Sequence, residues 1–332
     1  MDKGYDYSLA KLAPLLEAVD YRILNLETPL TFRLDTSLRG KEYIHYSDPV
    51  KTRAALGRFG PIAYSLANNH TLDQGPPGLV DTMKSLDQAG ARHFGAGTNI
   101  TEAVRPLLQT FQIGTTSFTL AVFGGLEYNK IYADQYHFYA DASNPGVVPI
   151  DVHAVEEAIR DLRGRNQNLF VIYFMHVLQN YFWKTPSQVA TAGALRKAGV
   201  DLVIGSGAHM LQEVEFDGTQ WTFYGLGDFI FNSGGRYASL HAPPYSGPLV
   251  VDFSMDNDRL ETTFRMYPIV SANTIINYQP RFVTEEELTT INSLLLARGR
   301  WPTTILAAVT RGQDQIGWYL EFSSQNGTNP LH

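Results

Sequence analysis

The sequence predicts a mixed α/β fold, and three observations predict it. Helical apolar patterns alternate with short apolar strands through the first two thirds of the 332 residues, as they do when helices pack on a sheet. Antiparallel strand signals follow. Each of several strands ends in a polar cluster, and in open α/β sheets ligands bind outside the carboxyl ends of the strands.

Residues 9–19 are apolar at helical spacing and lead into a buried strand over 21–26, which Glu27-Thr28-Pro29 ends because Pro cannot continue regular pairing. Asp48-Pro49 reads as an N-cap with Pro at the first helical position, opening a helix to Leu56. A strand over 61–66 ends in Asn68-Asn69-His70, followed by a helix over 77–89 and a short strand near His93. Residues 116–123 read as strand, 151–163 as an amphipathic helix, 169–174 as strand, 185–198 as a helix and 201–204 as strand. Asp217-Gly218 between β-rich arms is a hairpin signal. Residues 249–253 and 262–266 form a further antiparallel pair, and 285–297 a helix. The Gly-, Gln- and Asn-rich tail from Thr310 is expected to pack loosely. No linker or repeat divides the chain, so residues 1–332 are read as one domain.

Composition narrows the function. The 44% hydrophobic and 18% charged content supports a sizeable core. A net charge of −7 with scattered cations argues against a nucleic-acid surface, which needs clustered Lys and Arg. With no cysteine, thiolate metal sites, a Cys nucleophile and disulfides are excluded. No apolar h-region follows Met1 and no run of 18 apolar residues occurs, so no membrane segment is expected in this chain. The chain as given reads as soluble, cytoplasmic or, if a leader has been removed, extracytoplasmic.

Glu27, Asn69, His176 and His209 each stand at or just past the end of a strand. Carboxylate, amide oxygen and two imidazoles together suit a borderline divalent metal such as Zn, Mn or Fe. Each also has a plainer reading. Asn68-Asn69 is a turn that tolerates the left-handed region, with His70 capping the next helix; Glu27 is an exposed strand end; His176 is a core histidine; His209 packs under a loop. Tyr43, His45, Tyr181, Trp183 and Arg236 are candidates for a pocket wall, with core packing or surface exposure as the alternative.

The motifs carry a family resemblance. Asn25-Leu26-Glu27-Thr28-Pro29-Leu30 resembles the NLE(S/T)PL segment of the poly-gamma-glutamate capsule-synthesis (CapA-type, PGA_cap) family. Residues 65–75 match its SLANNHxxDxG segment throughout, and Gly97-Thr98-Asn99 with Glu102-Ala103 is similar to GxNxxEA. Residues 198–205 resemble the strand before the family's GHHPH loop, and residues 224–231 its YSLGNF(I/V)F. The match runs over roughly residues 5–255, leaving 256–332 as a C-terminal extension packed on it.

The resemblance implies a metallophosphatase-like four-layer αββα sandwich with mixed sheets. In related phosphoesterases two metals activate a bridging hydroxide and clamp the substrate phosphate. Carried over, Glu27 takes the bridging-carboxylate position, and Asn69, His176 and His209 are metal ligands. His70, with Asp73 of the same segment, is catalytic, acting on substrate without binding metal. The chain departs from the pattern in four places. The Gly-Asp carrying the family's N-terminal ligand has no match, HWGxEY reads His176-Val177-Leu178-Gln179-Asn180-Tyr181, GHHPH reads Gly205-Ser206-Gly207-Ala208-His209, and Asp228 replaces Asn. At most one tightly bound divalent ion is therefore expected, on the Asn69–His176 side. The functional expectation is a metal-dependent hydrolase acting on a phosphoester or an amide of poly-gamma-glutamate type. The alternative is a non-catalytic binding or scaffolding member. The partner is a small-molecule or polymer substrate, with a homo-oligomer left open.

Overall fold

The computed structural model describes residues 3–35, 38, 40–257, 259–299 and 309–323. Local chemistry opens its helices where the sequence places them. The Asp48 carboxylate accepts from the amides of Val50 and Lys51 and starts Pro49–Gly57. Thr185 and Gln188 form a reciprocal capping box ahead of Pro186–Lys197. Asp151 caps Val152–Arg165 through the Ala154 amide.

Two sheets hold the centre. The first is parallel, in the spatial order Arg22–Asn25, Ile62–Ser65, Arg92–Phe94. The second has six strands, in the order Val214–Phe216, Trp221–Phe223, Leu202–Ser206, Leu169–His176, Thr116–Leu126, Leu107–Ile113. Its four central strands are parallel and its two outer pairings antiparallel.

The two-residue period of each strand sorts the layers. Phe118, Leu120, Phe170, Ile172, Phe174 and Ile204 share one core with Ala63 and Phe94 of the first sheet. The alternate residues Ala121, Phe123, Val171, Tyr173 and Val203 pack instead on Val155 and Ile159 of Val152–Arg165 and on Ala192 and Leu195 of Pro186–Lys197. On the far side of the first sheet, Ile62 and Tyr64 meet Ala55 of Pro49–Gly57 and Leu79, Met83 and Leu86 of Gly75–Gln88. The layers therefore run helix, sheet, sheet, helix: an αββα sandwich.

A third, antiparallel sheet follows in the order Leu249–Asp256, Arg259–Met266, Trp318–Phe322, Val309–Gln313. With helix Glu285–Gly299 it feeds Phe264, Leu288, Leu295, Leu320 and Phe322 into the central core. This corrects the expectation of a loose tail from Thr310. Val309–Gln313 and Trp318–Phe322 are a hairpin, and its Phe322 packs edge-on against Trp221 and Phe223. Residues 324–332 lie outside the described residues. The helix expected over 9–19 is also corrected to two short ones, Tyr5–Leu9 and Ala13–Glu17. Pro14 lacks an amide hydrogen and clashes with a preceding helical carbonyl, so it starts a helix and cannot sit inside one. The antiparallel pairs 214–216/221–223 and 249–256/259–266 are as expected. No helix among the described residues is long and apolar enough to cross a membrane.

Candidate functional site

The turn after Ile62–Ser65 is stapled to the end of Arg22–Asn25 by Asn68. Its amide nitrogen donates to Asn25 Oδ1 and to the Leu26 carbonyl at 3.0 and 2.9 Å, and its Oδ1 accepts from the His70 amide and Thr71 Oγ1. Asn68 is thus the turn residue, and it fixes where Asn69 and His70 point. Asn69 Oδ1 lies 2.9 Å from His176 Nε2, at the end of Leu169–His176. Glu27 Oε1 lies 3.6 Å from the same nitrogen. Ser206 Oγ, ending Leu202–Ser206, holds His176 Nδ1 at 3.0 Å. Two residues drawn from distant sequence thus converge on one imidazole nitrogen, and a third holds the other.

Glu27 is the anomalous member. Asn25 Nδ2 donates to its Oε2 at 2.9 Å, but Oε1 is buried without a hydrogen-bond partner, although the side chain as a whole keeps 23% of its exposure. Buried acceptors are rarely left so. Burial, partly offset by the positive charge of His209, pushes the Glu27 carboxyl up to about 7. Burial also drives His176 down to about 3, with the charges of His209 and His70 acting the same way. The imidazole is neutral, and its contact with Glu27 is not an ion pair at neutral pH.

His209 lies in the loop after Leu202–Ser206, with φ 58. Its Nδ1 is 2.8 Å from Asp228 Oδ1, and its ring stacks on Tyr181. Burial alone would lower its pKa, but the Asp228 carboxylate outweighs that and raises it to about 9. Engagement of Nδ1 by Asp228 leaves Nε2 as its outward nitrogen, the carboxylate–histidine arrangement that orients metal ligands. His209 and Glu27 each feel the other's charge. Gly207 has φ 96, and a Cβ there would collide with the Val177 carbonyl and stand 3.0 Å from His176 Nε2. The loop backbone itself lies against the imidazole.

His70 belongs to an adjoining group. Its Nδ1 is 2.6 Å from Asp73 Oδ2, which also accepts from the His45 amide at 2.6 Å. Lys41, with 3% of its side chain exposed, places Nζ 2.6 Å from Asp73 Oδ1 and 3.3 Å from His70 Nδ1. The His45 and His70 rings stack at 3.9 Å, their planes 3° from parallel. Burial holds His70 down to about 4, against the raising effect of Asp73 and with the Lys41 charge adding to the fall. The Nδ1 hydrogen is therefore given to Asp73, and Nε2 keeps its lone pair.

Two clusters bring metal-ligand types together. His45, His70 and Asp73 bring three ligand atoms within 4.8 Å of one another. That set does not suit a cation: both Asp73 oxygens are engaged by donors, and one donor is the Lys41 ammonium. Glu27, Asn69 and His176 do suit one. The orphaned Oε1 needs a positive partner, and carboxylate, amide oxygen and imidazole are ordinary ligands of borderline divalent ions.

Of the wall candidates, His45 stacks on His70, and Tyr181 stacks on His209 with the Arg236 guanidinium 5.6 Å from its ring centre. Trp183 packs instead against Arg298, and Tyr43 is 58% exposed. Lys41 was not foreseen. A lone Lys 32 residues before its partner carries no sequence signal, whereas Asp228 was visible only as a departure from a motif.

The family model described as bacterial capsule synthesis protein PGA_cap matches residues 1–233. The capsule biosynthesis protein CapA of Bacillus anthracis is 28% identical over 239 residues, covering 70% of this chain and 55% of the relative. The PGA biosynthesis protein CapA of Bacillus subtilis is 27% identical over 234 residues, covering 70% and 58%. The chain thus spans little more than half the length of these relatives. A Staphylococcus aureus structure described as a 5'-nucleotidase in complex with alpha-ketoglutarate aligns with a TM-score of 0.44 at 13% identity, over 83% of this chain and 57% of that one.

Proposed function

As the chain belongs to the bacterial capsule-synthesis (PGA_cap) family, we propose that it is a metal-dependent hydrolase of that family, acting on a phosphoester or on an amide of poly-gamma-glutamate type. The observation that carries the reading is the buried, unpartnered Glu27 Oε1 beside His176 Nε2 and Asn69 Oδ1. Glu27, Asn69 and His176 would hold one divalent ion, Mn, Zn or Fe. Such an ion supplies Lewis-acid polarisation and a nucleophilic water at neutral pH. Three protein ligands suffice for a catalytic ion with an open position. A second ion would have only His209 and a share of Glu27, so one tightly bound ion per chain is proposed.

The remaining chemistry belongs to the chain. Asp73, anchored by Lys41 and the His45 amide, holds His70 in the tautomer whose Nε2 can accept or relay a proton at the substrate. Ser206 fixes the His176 ring, and Asn25 orients Glu27. The test is hydrolysis of bis-p-nitrophenyl phosphate, p-nitrophenyl phosphate and poly-gamma-glutamate by the metal-supplied protein, with His70→Ala as control. The reading requires turnover of at least one substrate that His70→Ala abolishes while its metal content is kept. Loss of metal in that variant would overturn the role given to His70.

The lost motif positions favour a second reading, a non-catalytic binding member. It requires poly-gamma-glutamate to bind without being cut.

A further inference from the structure

Lys41, His209 and Arg236 bring positive charge to the candidate site. Lys41 is tied to Asp73 and His209 to Asp228. The guanidinium of Arg236, an exposed residue, makes no ion pair and donates no hydrogen bond among the described residues. Its charge acts on the His209 imidazole alongside Asp228 and Glu27, and on the Tyr43 phenol alongside Glu42. Arg236 therefore lies between the loop carrying Tyr43 and the loop carrying His209.

Neighbouring residues fix that position. The guanidinium carbon rests 5.6 Å from the centre of the Tyr181 ring, a contact that holds a cation without neutralising it. Tyr181 is buried, stacks on the His209 ring at 5.3 Å and donates its amide to the Ala208 carbonyl at 2.8 Å. Tyr237, which follows Arg236, donates its hydroxyl to the His209 carbonyl at 2.5 Å and packs edge-on against Tyr181 at 5.0 Å. Gly235, which precedes it, has φ 71, and a Cβ there would stand 2.9 Å from the Tyr237 ring and 3.0 Å from the Tyr181 hydroxyl. Arg236 is thus carried by a segment fastened to the loop of His209. Tyr43, Tyr181 and His209, all near its charge, hold the left-handed backbone region at φ 62, 60 and 58. Non-glycine residues adopt that region rarely, and such strained backbone clusters where ligands are held.

The charges around the site define the group that Arg236 meets. Asp73 with Lys41 and Asp228 with His209 are neutral as pairs, and the His70 and His176 rings are neutral. An ionised Glu27 offsets half the charge of a divalent ion. Ion and Arg236 together leave a positive excess beside the place where substrate binds.

We propose that Arg236 is a specificity-determining residue: it takes an anionic oxygen group of the substrate next to the group polarised by the ion, so that the site favours a substrate carrying one more negative charge beside the bond to be cut. A guanidinium fork fits phosphoryl and carboxylate oxygens alike. In a phosphoester that charge is the second one of a terminal phosphate. In a γ-glutamyl amide it is the α-carboxylate. The inference rests on the hydrolase reading, and its test separates the failure of one from the failure of the other.

Two substrate pairs differ by that one charge. At about pH 8 the dianion p-nitrophenyl phosphate is set against bis-p-nitrophenyl phosphate, and γ-glutamyl-p-nitroanilide against its analogue with the α-carboxylate amidated. In the pair that the zinc-supplied chain cuts, Arg236→Gln should lower kcat/KM for the more charged member by about tenfold to a hundredfold, and for the other by less than about threefold. Arg236→Lys keeps the charge without the fork and should recover part of the loss. Arg298→Gln, at an exposed arginine 4.1 Å from the centre of the Trp183 ring, should change neither. Equal losses for both members, or the same loss in Arg298→Gln, would overturn the proposal. Calorimetric binding of inorganic phosphate and of glutarate reads Arg236 without turnover, and the anion that responds tells phosphoryl from carboxylate. Its affinity should fall about tenfold or more in Arg236→Gln. If neither pair is cut and this fall is seen, the hydrolase reading fails and the role of Arg236 stands. Equal affinity in the two proteins, or no binding of either anion, overturns it.

Discussion

Replacing Asp73 with Asn removes the only carboxylate among the described residues in hydrogen-bond contact with Lys41 and should be costly. Both side chains are withdrawn from water, at 3% and 0% exposure, and Nζ sits 2.6 Å from Oδ1. Burial already lowers the Lys41 pKa, and the Asp73 charge is the largest effect opposing that fall. Asp73→Asn leaves a buried ammonium that must stay unpaired or surrender its proton, and breaking a buried pair from one side costs about 3–5 kcal/mol. With an unfolding entropy of about 2.1 cal/mol/K per residue over 332 residues, one degree corresponds to about 0.7 kcal/mol, so Tm should fall by about 4–7 °C. The assay is a double-variant cycle by thermal and urea unfolding. Lys41→Met in the Asp73→Asn background removes the stranded charge and should restore about 1–3 kcal/mol as a coupling energy. A loss below about 1 kcal/mol for Asp73→Asn, or coupling indistinguishable from zero, would refute the claim that this pair anchors His70.

Two further predictions concern the cluster around His176. In chelator, the raised Glu27 carboxyl binds its proton up to about 7 in the native state but only to about 4.5 when unfolded. Its contribution to stability is thus lost as pH rises through that window. The difference between wild type and Glu27→Gln should fall by about 3 kcal/mol between pH 4 and 8, and a flat difference would show that Glu27 is not held in an apolar site. Taking the difference cancels His176 and His70, whose lowered values give the opposite slope. Gly207→Ala puts a side chain at φ 96 against the Val177 carbonyl and His176, and should cost about 1–3 kcal/mol and weaken metal retention. Unchanged metal content in that variant would show that this loop does not position His176.

What was legible in the sequence was what local chemistry decides. Asp48-Pro49 and Thr185-Pro186 announce helix starts because capping involves neighbours only. Glu27, Asn69 and His176 could be grouped because parallel strands deliver their carboxyl ends to the same side, and the family's motifs fall at those ends. What was missed depends on partners far along the chain. Lys41 pairs with Asp73 through the intervening helix and strand, and Asp228 reaches His209 across the hairpin Val214–Phe216/Trp221–Phe223. The strand Leu107–Ile113 went unread because Gln109, Thr110 and Gln112 interrupt its apolar run at the end of a sheet. The tail from Thr310 was misread because composition masked Trp318, Leu320 and Phe322, whose burial depends on a hairpin docking beside Arg259–Met266.

The central claim is that Glu27, Asn69 and His176 hold one divalent ion. Elemental analysis of the 332-residue chain, purified after supply of Mn, Zn and Fe and dialysed free of loose metal, tests it most directly. The account predicts about one equivalent per chain, lost in His176→Ala and in Asn69→Ala, variants whose retained fold is checked by circular dichroism. No metal after supply, two equivalents, or one equivalent that survives both substitutions would contradict it.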